Sequence, residues 1–213
     1  MSEATIAQGA ASMGIELPES AARRMEQHLA LVEKWNRVHN LTAVREASQM
    51  VVVHVLDSLT LLPHLGDAKH VVDVGTGAGF PGIPLAIARP DVSFTLLDSS
   101  HKKCTFLEQV RTELGLSNVE VVCERVEPFR PARRFDAVMS RAFAELSDFV
   151  TQSQHLAAPG ARFLAMKGVY PFEEIARMPK SHKVAQVVEL LVPSLDAKRH
   201  LVMLEAARWR VCS

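Results

Sequence analysis

The stretch VVDVGTGAGFPGIPLAIARP, residues 71–90, begins as an apolar run of strand type and ends as a helix, with four glycines between them. Glycines this close together let the backbone approach a ligand that a Cβ would repel, and the helix N-terminus that follows favours anionic groups. Two signatures overlap here. Gly77-Ala78-Gly79-Phe80-Pro81-Gly82 spells G-x-G-x-x-G between a strand and a helix, the fingerprint of a dinucleotide pyrophosphate site. Asp73-Val74-Gly75-Thr76-Gly77-Ala78-Gly79 instead sets an acid two residues before the first of three alternating glycines. An acid at that point suits a cationic group.

Outward from this loop, short apolar runs alternate with amphipathic segments, the signature of βαβ units and a parallel sheet. The pattern predicts strands at 70–74, 93–98, 119–123, 135–140 and 161–167, with helices at about 81–89, 100–114 and 145–157. After Lys167 comes a brief helix near 171–177. VAQVVELLVP and RHLVMLEAARW then predict an antiparallel hairpin joined by a short SLDAK turn. Before residue 70 the spacing is helical. Leu17-Pro18-Glu19-Ser20 signals a start, followed by Met25, Leu29, Val32 and Val38, and a second helix runs from about Ala47 to Leu62, stopped by Pro63. The expected fold is α/β and Rossmann-like: a mostly parallel seven-stranded sheet with a C-terminal antiparallel hairpin, preceded by a helical cap. The expected units are a cap over 1–65 and a main domain over 66–213.

That topology decides between the two glycine registers. Alternating units closed by an antiparallel hairpin match the class I S-adenosylmethionine-dependent methyltransferases, whereas a dinucleotide domain continues with parallel units. In this register Asp73 faces the ammonium of the methionine moiety. Asp98, ending the second strand, accepts the ribose hydroxyls in either reading. A dinucleotide-binding oxidoreductase, a small-molecule methyltransferase and a binding module without turnover stand as alternatives.

At 213 residues the chain fits one domain with a modest extension. Lysine plus arginine total 24, as do aspartate plus glutamate, so net charge argues neither for nor against a nucleic-acid partner. Cys104, Cys123 and Cys212 form no CxxC and read as reduced thiols, with no metal site expected. The N-terminus lacks a leader pattern and no window approaches about eighteen apolar residues, so the expectation is a soluble cytoplasmic monomer with no membrane partner.

Absent motifs narrow the methyl acceptor. Exocyclic base amines are typically oriented by an (N/D/S)-P-P-(Y/F) loop after strand four; here that position reads Ser140-Arg141-Ala142-Phe143-Ala144. No cysteine is placed to attack a pyrimidine carbon, and no acidic cluster follows strand four to hold a metal. The acceptor should therefore carry a good lone pair, such as a ring nitrogen like guanine N7 or a small-molecule amine, with no obligatory nucleophile or base.

The runs WNRVHNLTA, HVLDSL, DVGTGAGFPGIPLAIARP, FTLLDS with KKCTFLEQV, ERVEPF, FDAVMSRAFAEL and FLAMKG, in this order from about residue 30 to 205, resemble the RsmG (GidB) family of bacterial 16S rRNA guanine-N7 methyltransferases. The resemblance implies methylation, from S-adenosyl-L-methionine, of a guanosine N7 in the 530 loop of 16S rRNA, within a small-subunit particle or assembly intermediate. It also implies cofactor contacts from Gly75, Phe80, Val126, Glu127 and Arg141, joining Asp73, Gly77 and Asp98 from the loop chemistry. Phe80 is expected to wall the cofactor cavity, and Arg141 to pair with the methionine carboxylate or a phosphate. Asn40, Lys167 and Arg199 are candidates for positioning substrate. His54 and Asp57, one helical turn apart, are close enough to interact and are candidates to face the site, with an ordinary paired histidine on a helix as the favoured alternative. Lys102, Lys103, Arg125, Arg130, Arg133, Arg134, Lys198 and Arg199 are candidates for a basic rim toward RNA. No interleaving of aromatic and basic residues suggests a single-strand platform.

Overall fold

The computed structural model describes residues 3–206 apart from 142 and 144, so Cys212 and the end of the RHLVMLEAARW run lie outside the described residues. Seven strands form one sheet: β1 (His70–Val74), β2 (Ser93–Asp98), β3 (Val119–Cys123), β4 (Phe135–Ser140), β5 (Ala157–Lys167), β6 (His182–Glu189) and β7 (His200–Ala206). Their order is β3-β2-β1-β4-β5-β7-β6. The first five are parallel, and β7 runs antiparallel to both β5 and β6, as the sequence predicts.

The apolar strands feed two cores through their period of two. Val71, Phe94, Leu96 and Met139 face one side, while Val72, Val74, Leu97 and Val138 face the other. The first side is covered by α6 (Gly82–Ala88) and α7 (His101–Glu113), the second by α8 (Leu146–Ser153). The helices ahead of β1 pack into the first of these cores. Ile6 of α1 (Glu3–Ser12), Met25 and Val32 of α2 (Ala21–His39) and Met50 of α3 (Ala47–Met50) belong to the same core as Ile83 and Leu107.

Several local readings change. Helix α1 had no signal in the sequence. The second N-terminal helix is α3, then a π-helical segment Val51–Leu56, then α4 (Asp57–Leu59). Pro63 does not stop it but sits in the first turn of a further short helix, α5 (Leu62–Leu65), where its missing N–H costs nothing. Strand β5 starts at Ala157, four residues early, because a register shift between Phe135 and Ala137 lets Ala157 pair with Phe135. The β6–β7 connection spans residues 190–199, longer than the SLDAK turn, and Val38 of α2 faces solvent rather than the core.

Because β1 has β2 on one side and β4 on the other, the connections leaving β1 and β4 diverge at the carboxyl edge of the sheet. Open α/β sheets bind ligands at such a switch point. The glycine loop leaves β1 there.

Candidate active site at the sheet switch point

Gly75, Gly77 and Gly79 all have positive φ, at 71°, 63° and 87°, which only glycine adopts without strain. The loop is organised from beneath by Asp73. Its Oδ2 accepts the Thr76 hydroxyl at 2.7 Å and the Gly82 N–H at 2.9 Å. A Cβ on Gly82 would collide with Leu96 of β2 and crowd the Asp73 carboxylate of β1, so glycine lets the start of α6 lie this close to the sheet. Asp73 is fully buried, burial raises its pKa to about 6, and its Oδ1 has no partner. Oδ2 thus has a loop-shaping role of its own, beside the expected contact to an ammonium.

Two cavities flank the switch point. The first, of about 320 Å³, brings together Gly75, Asp98, Val126, Glu127, Lys103 and Phe143. A Cβ on Gly75 would meet no protein atom within 4 Å, so the glycine keeps that space open for a ligand. Asp98 Oδ2 accepts the Gly77 N–H at 3.0 Å and lies 3.4 Å from Lys103 Nζ, while Oδ1 accepts the Ser100 N–H at 2.9 Å. One buried carboxylate thus fixes the loop and still presents lone pairs at the cavity, which fits a ribose diol. The glycine register and strand spacing point to Gly75 and Asp98, the family resemblance adds Val126 and Glu127, Lys103 is expected on a basic rim, and Phe143 is not expected.

The second cavity, about 450 Å³, lies toward β5 and collects Arg141, Lys167 and Arg199 with His54 and Asp57. The paired-histidine reading fails here: Asp57 sits between two guanidiniums, with Oδ2 3.7 Å from Arg141 Nη1 and Oδ1 3.3 Å from Arg199 Nε. Burial raises the Asp57 pKa and lowers that of Arg141, each opposed by the charges beside it. His54 instead contacts the Thr42 hydroxyl through Nε2 at 2.9 Å and the Val53 carbonyl through Nδ1 at 3.1 Å. Its place in the π-helical segment turns it away from Asp57; such segments often mark functional sites.

Phe80 is not among the residues lining either cavity. It forms a buried partition with the His54 ring stacked at 4.6 Å, the His28 ring at 4.7 Å and the Arg141 guanidinium 5.3 Å from its centroid. The Phe80–Pro81 peptide is cis. His28, in α2, had no signal in the sequence beyond helical spacing; its Nε2–H donates to the Ala78 carbonyl at 2.9 Å. Asn40 lines neither cavity. It caps α2 in the left-handed conformation, and its side-chain oxygen accepts from Arg45 at 3.1 Å. Lys167 pairs with Glu174 at 2.7 Å and donates to the Phe143 carbonyl at 3.1 Å.

The basic residues do not form one rim. Lys103 and Arg125 border the first cavity, but Arg130 and Arg133 line a hollow at the amino edge of the sheet, where Arg134 precedes β4. Lys102 donates to the His39 carbonyl. Cys104 is buried, with its thiol pushed up to about 12 by burial, and donates to the Asp98 carbonyl, so it is no nucleophile. Among the described residues no group of three His, Cys, Asp or Glu could hold a metal, and no helix is long and apolar enough to cross a membrane.

The buried histidines give this site a pH signature. Burial lowers His28 to about 4 and His54 to about 3, from 6.5. Near pH 5 both are neutral in the fold and charged in the unfolded chain, so unfolding takes up two protons. Asp73, protonated in the fold below about pH 6 and ionised when unfolded, returns one. His64 and His182, lowered by burial, add to the first effect, and Asp57 to the second. Stability is therefore expected to fall between pH 6.5 and 4 by roughly 1.4 kcal/mol per pH unit, the slope for one net proton. Urea midpoints at pH 7 and pH 5 check this; equal midpoints would remove it.

A glycine-bearing switch-point loop, a carboxylate ending β2 and an antiparallel closing hairpin define a class I S-adenosylmethionine-dependent methyltransferase. Solved structures agree on the fold. A putative O-methyltransferase from Klebsiella pneumoniae superposes with a TM-score of 0.57 at 14% identity, covering 85% of this chain and 90% of that one. P. horikoshii TYW2 in complex with MeSAdo gives 0.52 at 14% identity, covering 67% and 60%. The family model for rRNA small subunit methyltransferase G (GidB) matches residues 21–202, and the chain belongs to that family. The ribosomal RNA small subunit methyltransferase G of Chromobacterium violaceum is 53% identical over 199 residues, covering 93% of this chain and 95% of the relative. That of Nitrosospira multiformis is 52% identical over 209 residues, covering 95% and 96%.

Proposed function

We propose that this protein methylates N7 of a guanosine in the 530 loop of 16S rRNA, with the RNA held in a small-subunit particle or assembly intermediate. We read it as acting as a cytoplasmic monomer. The observation that carries the reading is a pair of cavities beside the glycine loop, the first lined by Gly75 and Asp98 and the second by Arg141. One presents a carboxylate and apolar walls suited to an adenosine, and the other is lined with cations suited to a nucleotide.

S-adenosylmethionine, when bound, supplies an electrophilic methyl on a sulfonium. Asp98 would hold the ribose, Val126 and Glu127 the adenine, Gly75 and Gly77 would leave room for the methionine part, and Arg141 would take its carboxylate. The methyl would pass from sulfur to N7, which offers a lone pair and has no proton to lose, so the residues here would need only to position the guanine. The second cavity suits such an acceptor. Its two groups able to take a proton are both engaged, Asp57 by Arg141 and Arg199, His54 by Thr42. An exocyclic base amine, whose lone pair is delocalised into the ring and which must shed a proton, would need one of them free.

The test is to incubate the protein and labelled cofactor with small subunits from a strain lacking the family enzyme, then map N7-methylguanosine by chemical cleavage. Cleavage at one guanosine of the 530 loop is expected. Label on another base, or on no RNA, would sink the reading.

A further inference from the structure

The loop leaving β5, Gly168-Val169-Tyr170-Pro171-Phe172, carries three apolar side chains into the open. Val169 is 77% exposed, Phe172 73% and Tyr170 39%. A single exposed apolar residue needs no explanation, but a contiguous group of three with two aromatics does. The Tyr170 and Phe172 rings lie with centroids 4.2 Å apart, tilted by 37°. The Tyr170 ring also meets the His200 ring edge-on at 5.6 Å, and His200 Nδ1–H donates to the Gly168 carbonyl.

The pair is mounted on fixed points. Before the loop, Lys167 is tied to Glu174 and to the Phe143 carbonyl; after it, Glu174 also accepts the Leu146 N–H at 2.9 Å. Rings held this way present their faces at little entropic cost.

Their position supplies the occupant. Lys167 and Gly168, which lead into the loop, line the second cavity, and so does Arg199, the residue before His200. The aromatic pair therefore stands at the lip of a cavity whose wall holds Arg141, Lys167 and Arg199. The acids that follow on α9 (Phe172–Ala176) are themselves paired, Glu173 with Arg177 and Glu174 with Lys167. Flat apolar faces beside cations are what single-stranded nucleic acid takes: the bases stack and the phosphates pair.

We propose that Tyr170 and Phe172 form a stacking platform for unpaired rRNA bases flanking the target nucleotide, holding the strand open while the target base enters the second cavity. This rests on the reading that the protein methylates RNA. It also revises the sequence expectation that no aromatic–basic platform exists.

The experiment compares wild type with Tyr170→Ala, Phe172→Ala, Phe172→Leu and Phe172→Trp on small subunits lacking the modification. Each alanine variant is expected to lose about tenfold in kcat/KM, carried by KM, with unchanged affinity for S-adenosylmethionine. Phe172→Trp should restore wild-type efficiency and Phe172→Leu should not, because leucine keeps the apolar contact but has no ring to stack. Full activity in Phe172→Ala overturns the platform. Full activity in Phe172→Leu overturns it in favour of an apolar contact to a ribosomal protein. Independently of turnover, the Phe172→Trp protein is titrated with a single-stranded oligoribonucleotide of 530-loop sequence. Its fluorescence, relative to wild type, should be quenched, and quenching should weaken on adding Tyr170→Ala; no quenching also overturns the platform. Quenching without N7 methylation by the wild type would overturn the methylation reading and leave the platform standing.

Discussion

Replacing Asp98 with alanine is expected to weaken S-adenosylmethionine binding by at least a hundredfold. The carboxylate ends β2 at the first cavity, fixed by the N–H groups of Gly77 and Ser100. Two charge-assisted hydrogen bonds to a ribose diol, at about 1.5 kcal/mol each, amount to roughly 3 kcal/mol, which is more than two decades in Kd. Asp98→Asn, which keeps one acceptor, should lose less. Calorimetric titration reads the affinity, and a melting curve reads the linked effect, since a ligand that binds only the fold raises its melting temperature. Binding of Asp98→Ala at wild-type affinity would exclude Asp98 as the ribose anchor. A lower melting temperature of the ligand-free variant would report the lost contacts to Gly77 and Ser100 separately.

Phe80→Ala is expected to carry the largest cost in stability, about 3–5 kcal/mol, the range for emptying a buried phenylalanine site. The ring is 3% exposed and contacts His54, His28 and Arg141 at once. Collapse cannot fill the space, because both histidines are held by their own hydrogen bonds, to Thr42 and to the Ala78 carbonyl. Phe80→Leu keeps most of the volume and should cost less than about 1.5 kcal/mol. Urea denaturation of the three proteins gives the series; equal midpoints for Phe80→Ala and wild type would show that the partition is not filled by this ring.

The sheet was legible because each strand is a short apolar run bounded by turn residues, and because strand and helix periods switch cleanly after residue 70. The first cavity was legible in part for a related reason: Gly75 follows β1 and Asp98 ends β2, and strand ends of a parallel sheet converge, while Val126 and Glu127, beyond β3, came from the family resemblance. The second cavity was legible only as separate residues. Arg141, Lys167 and Arg199 come from three distant parts of the chain, and nothing in their spacing shows that Asp57 lies between two of them. His54 and Asp57 misled because i, i+3 spacing assumes α-helical geometry, and residues 51–56 are wound as a π-helix. The Tyr170–Phe172 pair stayed hidden because, apart from Lys167, its basic neighbours Arg141 and Arg199 are close in space and far in sequence.

The contact between His28 and the Ala78 carbonyl bears on how this chain can be divided. A fragment beginning at residue 66 would contain the whole glycine loop, Asp98 and Arg141, and by motif content would look sufficient. It would lack the imidazole that α2 rests on the loop, the His54 ring that α3 and its π-helical extension stack on Phe80, and the N-terminal share of the core. The sheet supplies the chemistry, but its geometry is borrowed from the helices ahead of it. Grafting this methyltransferase onto another protein would have to carry those helices along.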